Sequence, residues 1–386
     1  MALKDMAAND CATGLEYDGL RIAVHSTSEH HLRWLEEFLA PAFAVGLRDQ
    51  SDWRVAVDED QMRYDAIVRR GPQPAAALVA CFALDKDWVC LPQWRGEEGL
   101  RTVVDEPARV AYQVDVTGRC VTLVTPSGKF GVRTALMRVV RELAIIHVRE
   151  RGGLLLHAAA LAVGNRGLIV AGEKNAGKTT LLVNLLRHGA ACYVSNDRTA
   201  VSMATSPPSL RGMPTIISVR PGTLTFFPRF GEHLRARGFQ YRLTLAETVG
   251  GEAARLSKDG RFVLSPAQFC ALLGVEQLGA CAASAVVFPQ IADDEQTICL
   301  RQLDEREAAE RVMRAVFGVA APGATEGLLG VVGGSRPGDT AVSGSIAQLV
   351  AALPCFECRL GRRAYDSAND AARIAEQLVA GCHLDE

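Results

Sequence analysis

This sequence predicts an α/β fold with a mixed sheet, preceded by a strand-rich α+β domain, and three observations carry that expectation. First, the apolar run Leu168–Ala171 enters Gly172-Glu173-Lys174-Asn175-Ala176-Gly177-Lys178-Thr179-Thr180, and an apolar helical pattern continues to His188. Second, the apolar stretch Leu154–Val163 is joined to that run by only Asn165-Arg166-Gly167, a turn so short that the two strands must be antiparallel. Third, residues 15–130 hold a succession of short apolar or alternating segments with turn residues between them.

Composition narrows the function classes. The chain has 386 residues, 48% of them hydrophobic and 22% charged, with a formal net charge of −2. That is the composition of a globular protein of two or three domains, without the basic field that extended nucleic-acid binding needs. No apolar run reaches the length of a bilayer span and the N-terminus has no signal-peptide core, so a cytoplasmic protein is expected. Most of the cysteines, such as Cys81, Cys90, Cys120, Cys192 and Cys299, stand singly in apolar segments and read as small hydrophobes. Cys355-x-x-Cys358 has no second pair or nearby His to complete a metal site. A homo-oligomer stays open.

Residues 1–14 read as a disordered lead, and residues 15–130 as a recognition or structural domain. Within it, strands are expected at Leu20–Val24, Trp53–Val57, Ala77–Leu84, Asp87–Leu91, Ala108–Val116 and Cys120–Thr125. Glu29–Phe43 forms an amphipathic helix through Leu32, Leu35, Phe38 and Leu39. Asp85-Lys86 and Thr117-Gly118-Arg119 read as hairpin turns, with Gly118 free to take positive φ. Arg133–Arg151 is a helix stopped by Gly152-Gly153, so residues 131–153 connect the two domains.

Residues 154–317 form the second domain. After the glycine loop a helix runs to His188, with Gly189 as its stop, and Ala191–Val194 is a buried strand ending in Ser195-Asn196-Asp197-Arg198. Strands follow at Thr199–Met203, Ile216–Arg220, Ala283–Pro289 and Thr297–Leu303, with helices at Ala267–Leu273 (Ser265 as N-cap) and Asp304–Phe317. Residues 228–262, with Arg229, Arg235, Arg237, Arg242, Arg255, Lys258 and Arg261, read either as a loop closing over a phosphorylated ligand or as a solvated surface excursion. Residues 318–344 are a Gly-, Ala- and Pro-rich connection, and residues 345–386 a tail of helix, strand and helix, with Asp366 or Ser367 capping the last.

The motif carries the chemistry. Gly172 and Gly177-Lys178-Thr179 match the phosphate-binding, or Walker A, pattern between a strand and a helix. Glycines let the backbone curl its N–H groups inward around phosphate oxygens, and the helix N-terminus adds partial positive charge. Gly172, Glu173, Lys174, Asn175, Ala176, Gly177, Lys178, Thr179 and Thr180 are therefore the expected nucleotide-binding residues. Lys178 reaches the terminal phosphates, and Thr179 holds Mg²⁺. Asp197, at the carboxyl end of the next strand, is the expected metal-orienting carboxylate.

The block from Leu156-His157 through the glycine loop to Ser195-Asn196-Asp197 resembles the catalytic domain of HPr kinase/phosphorylase and its relatives, among them serine kinases and kinases of lasso-peptide biosynthesis. His157, Lys178, Thr179 and Asp197 fall on the family's motif positions, and the matched region spans about Leu154 to Arg220. The resemblance implies an ATP- and Mg²⁺-dependent phosphotransferase acting on a hydroxyl. Two departures follow. Asn196 occupies the position of the family's proton acceptor, and an amide does not take up that proton. Arg211–Arg220 has no carboxylate to match the family's later metal-binding Glu. Asp197 or His157 must then receive the proton.

Two functions are thus expected in order. The first is transfer of the γ-phosphoryl group of ATP to a serine-like hydroxyl on a small molecule, peptide or protein. The second is a regulatory module that binds or slowly hydrolyses nucleotide without an acceptor. No guanine-selective Asn-Lys-x-Asp motif appears, although GTP is not thereby excluded.

Overall fold

The computed structural model describes residues 11–46, 50–71, 77–84, 87–95, 100–126, 131–173, 175–188, 190–236, 260–292, 294, 298–317 and 339–380. They form an α/β protein with mixed sheets in two compact units, one running to His147 and the other beginning at Val148. The expected turn Asp85-Lys86, the helix stop Gly189, the site residue Lys174 and the connection 318–338 lie outside the described residues, as do Arg237, Arg242, Arg255 and Lys258.

The first unit is built on a nine-stranded sheet ordered β3-β1-β2-β4-β9-β8-β7-β6-β5. Its strands are β1 (Cys11–Tyr17), β2 (Leu20–Ser26), β3 (Ala44–Val45), β4 (Trp53–Glu59), β5 (Ala77–Leu84), β6 (Asp87–Arg95), β7 (Arg101–Asp105), β8 (Val110–Asp115) and β9 (Cys120–Thr125). β2, β4 and β9 are parallel neighbours, while β9 back to β5 is an antiparallel meander. Part of the expected lead is ordered: Cys11–Gly14 belong to β1, because Thr13, Leu15 and Tyr17 alternate into the core and pair along β2. Helix α1 (Glu29–Leu39) buries the expected Leu32, Leu35, Phe38 and Leu39 and stops before Pro41, four residues short of Phe43.

Helix α2 (Gln61–Arg70) was not expected, because only Tyr64 and Ile67 face inward. Its signals are its ends, where Asp60 accepts from the Arg63 N–H at 3.0 Å and Gly71 closes the last turn at φ +51°. In the β8–β9 hairpin the positive φ falls on Arg119 (+49°), not on Gly118. Gly118 instead donates its N–H to the Asp115 carboxylate at 2.8 Å, and that carboxylate lies where a Cβ at 118 would be. Helix α3 (Gly131–Glu150) spans the expected connection and buries Leu136, Val139, Val140 and Leu143.

The second unit carries the glycine loop. Its sheet is ordered β10-β14-β15-β18-β12-β11-β13, with β20 added beside β18 and β19 beside β20. The strands are β10 (Leu154–Leu156), β11 (Ala158–Val163), β12 (Arg166–Ala171), β13 (Ala191–Ser195), β14 (Thr199–Ser202), β15 (Ser209–Gly212), β18 (Ala280–Ile291), β19 (Ile298–Gln302) and β20 (Cys355–Leu360). A separate antiparallel pair joins β16 (Ile217–Val219) to β17 (Phe262–Leu264). The hairpin β11–β12 is antiparallel from Val163↔Arg166 to Ala158↔Ala171, as the short turn requires, and β12 runs parallel to β18 on its other side.

Alternation along β12 explains the layers. Leu168 and Val170 pack toward a cluster with Leu181, Leu185, Phe269 and Ile374, while Ile169 and Ala171 face Val312, Ala315 and Leu349. The first layer is formed by α4 (Lys178–His188), α6 (residues 228–236), α7 (Pro266–Leu273) and α10 (Ala368–Ala380), after the single turn α5 (Pro221–Leu224). The second is formed by α8 (Glu305–Ala315) and α9 (Asp339–Ala352).

Three expectations are corrected here. Leu154–Val163 is not one strand, since it breaks at His157, and β10 pairs with β14 while β11 pairs with β12 and β13. Residues 228–236 of the Arg-rich stretch are helical, with Phe230 and Leu234 buried. The end of the Gly-rich connection, from Asp339, is already α9. Ser265 caps α7 in a reciprocal capping box with Gln268, and Ser367 accepts the Asp370 N–H at 3.2 Å at the start of α10. Among the described residues, no helix is long and apolar enough to cross a membrane.

Candidate active site

The loop between β12 and α4 is built by its backbone. Gly172 has φ +149° and a Cβ there would sit 3.3 Å from the Ala176 Cβ. Gly177, at φ +99°, would bring a Cβ to 3.1 Å from Cγ1 of Ile291, and Asn175 adopts φ +72° between them. The Ala176 N–H donates to the Glu173 carbonyl at 3.2 Å, and the Leu181 N–H to the Gly177 carbonyl at 2.8 Å opens the helix. The chain thus curls tightly, in conformations that favour glycine, and enters α4 with Lys178 in its first turn.

Lys178 is buried, and its Nζ donates to the carbonyls of Gly172 at 2.7 Å and Glu173 at 2.9 Å. Burial pulls its ammonium down to about 8; the Arg220 charge adds to that fall, while Asp197 and Glu173 oppose it. Thr179 is half-buried and Thr180 buried. The helix itself is tied down by Asn184, fully buried, whose Nδ2 donates to the carbonyls of Ala364 at 3.2 Å and Tyr365 at 2.7 Å.

His157 owes its position to the break between β10 and β11. Its N–H leaves the sheet and donates to the Ala315 carbonyl at the end of α8, at 2.6 Å. Its ring meets the edge of Phe317 with centroids 5.4 Å apart. Nδ1 then lies 3.2 Å from Oδ1 of Asp197. The turn carrying Asp197 is closed by the Ser195 and Thr199 hydroxyls 2.6 Å apart, with Thr199 donating onward to the Ala158 carbonyl at 2.9 Å. Nε of Arg198 is 3.9 Å from the other Asp197 oxygen, and its guanidinium covers Phe317 at 4.9 Å. Burial lowers the His157 pKa most; Asp197 pushes it back up, and the Lys178 and Arg198 charges lower it further.

The expected residues therefore divide. His157, Lys178 and Asp197 lie within electrostatic reach of one another beside the glycine loop. Asn196 belongs elsewhere: its Oδ1 accepts from the Tyr193 hydroxyl at 3.0 Å and the Thr215 hydroxyl at 3.2 Å. Glu173 is exposed, 4.0 Å from Arg314. Residues that sequence reasoning missed are Arg220, whose Nη1 donates to Oδ1 of Asn175 at 2.7 Å, and the buried anchors Asn184 and Thr199. Only Pro221 after Arg220 marked that position locally. No protein-family model matches this chain, and no curated protein matches it either.

Proposed function

We propose that the chain is an ATP- and Mg²⁺-dependent phosphotransferase that moves the γ-phosphoryl group to a hydroxyl of a small molecule, peptide or protein side chain. The observation that carries this reading is the buried Lys178 amine beside the His157–Asp197 pair at the mouth of a curled glycine loop. Phosphoryl transfer asks a protein chiefly for positioning and charge, which a lysine, a helix N-terminus and a carboxylate supply.

The donor set suits Mg²⁺. Thr179 and Asp197, one hydroxyl and one carboxylate, are the residues that would hold it. Such a sparse set fits a cation that keeps several waters and leans on substrate phosphates. Bound there, Mg²⁺ neutralises charge on the β- and γ-phosphates.

The proton has one well-supported destination. With His157 neutral near pH 7, Nδ1–H donates to Asp197, leaving the Nε2 lone pair for an acceptor hydroxyl. Asp197 then orients the ring, and with an amide at Asn196, where the HPr kinase/phosphorylase family has its proton acceptor, the task passes here to the His157–Asp197 pair. Incubation with γ-labelled ATP, Mg²⁺ and serine-bearing small molecules and peptides tests it. Labelled acceptor is the expected result, and its persistent absence with nucleotide bound overturns the transfer.

A second reading has its own observation. Asn196, at the position of that family's proton acceptor, is an amide whose oxygen is already engaged by Tyr193 and Thr215. That supports a regulatory module that binds or slowly hydrolyses nucleotide with no acceptor. ATP hydrolysis without labelled acceptor, changing on addition of a protein partner, is its signature.

A further inference from the structure

Arg220 stands outside the phosphate-loop motif yet reaches it. It follows β16 directly, and its carbonyl accepts the N–H groups of Thr223 at 3.0 Å and Leu224 at 3.3 Å in the turn that follows. Pro221 keeps Arg220 extended, at φ −87° and ψ 152°, and buried Val219 and Leu224 anchor it on either side. The backbone is thus fixed, and the guanidinium is delivered to Oδ1 of Asn175 at the apex of the loop.

That pairing uses little of what the guanidinium offers. Asn175 provides one neutral acceptor to a planar fork of five donors, and a guanidinium bonds roughly twice as strongly to an anion. Lys178 makes a parallel case, its amine resting on two neutral carbonyls of the loop. Both groups border the same loop, Lys178 through the carbonyls of Gly172 and Glu173 and Arg220 through Asn175. Asn175 is exposed, so the approach of such an anion is open.

We infer that Arg220 is a ligand of the terminal phosphate of a nucleoside triphosphate, exchanging Asn175 for γ-phosphoryl oxygens when the nucleotide binds. This rests on the nucleotide-binding reading above and adds a residue to it. Lys178 and Arg220 then clamp the same phosphate from α4 and from the separate β16–β17 pair. The site thereby distinguishes a triphosphate from a diphosphate, because ADP lacks the group that Arg220 holds.

Titration of the full chain with Mg·ATP and Mg·ADP, followed by calorimetry, tests this. Arg220→Gln is expected to weaken ATP about tenfold to a hundredfold and ADP by less than about threefold. Arg220→Lys, which keeps the charge without the fork, is expected to fall between. Should the Gln variant fail to fold, the Lys variant alone must still narrow the ATP-to-ADP ratio. Asn175→Gly permits the positive φ but removes the acceptor that the γ-phosphoryl group must displace, so ATP is expected to gain on ADP, and a lower ATP-to-ADP ratio counts against the exchange. An unchanged ATP-to-ADP ratio in the folded Arg220 variants, with wild-type chain binding both, overturns this inference alone. A wild-type chain that binds neither nucleotide overturns the nucleotide reading along with it.

Discussion

Nδ1 of His157 and Oδ1 of Asp197 stand 3.2 Å apart, one carried by a break between two strands and the other by the turn after β13. Because burial lowers the His157 pKa and Asp197 opposes the fall, Asp197→Asn lowers it further. NMR titration of the ring is expected to give a midpoint below the usual histidine value in wild type and a lower one in the variant. The unfolded chain binds that proton more readily, so stability is eroded as pH drops from about 6.5 toward the folded pKa. A wild-type midpoint at or above the usual value overturns this.

His157→Gln removes the proposed proton acceptor without touching the phosphate loop. A fall of about a hundredfold or more in kcat is expected, with ATP affinity changed by only a few-fold. Equal losses in nucleotide binding and turnover would instead assign His157 to the fold of the loop.

Lys178 titrates at about 8. Only its charged form attracts phosphate, so ATP affinity is expected to hold below pH 8 and to decline above it. Asp197 raises this pKa, so in Asp197→Asn the decline begins at lower pH. Affinity that is flat between pH 7 and 9.5 contradicts the assignment.

Gly177→Ala places a Cβ 3.1 Å from Ile291 in a backbone conformation that alanine rarely adopts. The strain is about 1–3 kcal/mol, concentrated in the loop. ATP affinity is expected to drop tenfold or more in a chain whose circular dichroism matches wild type.

Asn196 is expected to matter for stability more than for chemistry. Asn196→Leu strands the Tyr193 and Thr215 hydroxyls and costs about 1–3 kcal/mol in urea unfolding. Asn196→Asp keeps an acceptor oxygen for both, so its unfolding midpoint stays close to wild type. A gain in phosphoryl transfer in that variant would reveal a degenerate acceptor site, as the regulatory reading requires.

The order of elements in the second unit was legible because its signals are local. An apolar run, two glycines and an apolar helical pattern mark β12, the loop and α4, and the two-residue link at Gly164-Asn165 forces antiparallel pairing. The pairing of His157 with Asp197 was legible only as proximity to the loop. Apart from His157 itself, Leu154–Val163 is apolar, and only the different partners of its two halves show that the strand breaks there. Arg220 and Asn184 were invisible for a similar reason: their meaning lies in Asn175 and in the carbonyls of Ala364 and Tyr365, far away in the chain. Helix α2 was missed because two inward residues make no stripe.

The position of β12 in its sheet has a consequence for how the protein is made. One edge of β12 is covered at once by β11, its hairpin partner, but the other is covered by β18, with Arg166 beside Ala282. During synthesis the ribosome therefore delivers the whole glycine loop long before the strand that seals β12. Until β18 emerges, the apolar edge of Leu168–Val170 is open to pairing with other chains. Fragments ending before Ala280 should be captured by chaperones or aggregate, and the loop between β12 and α4 should take its shape late, as a property of the nearly finished chain.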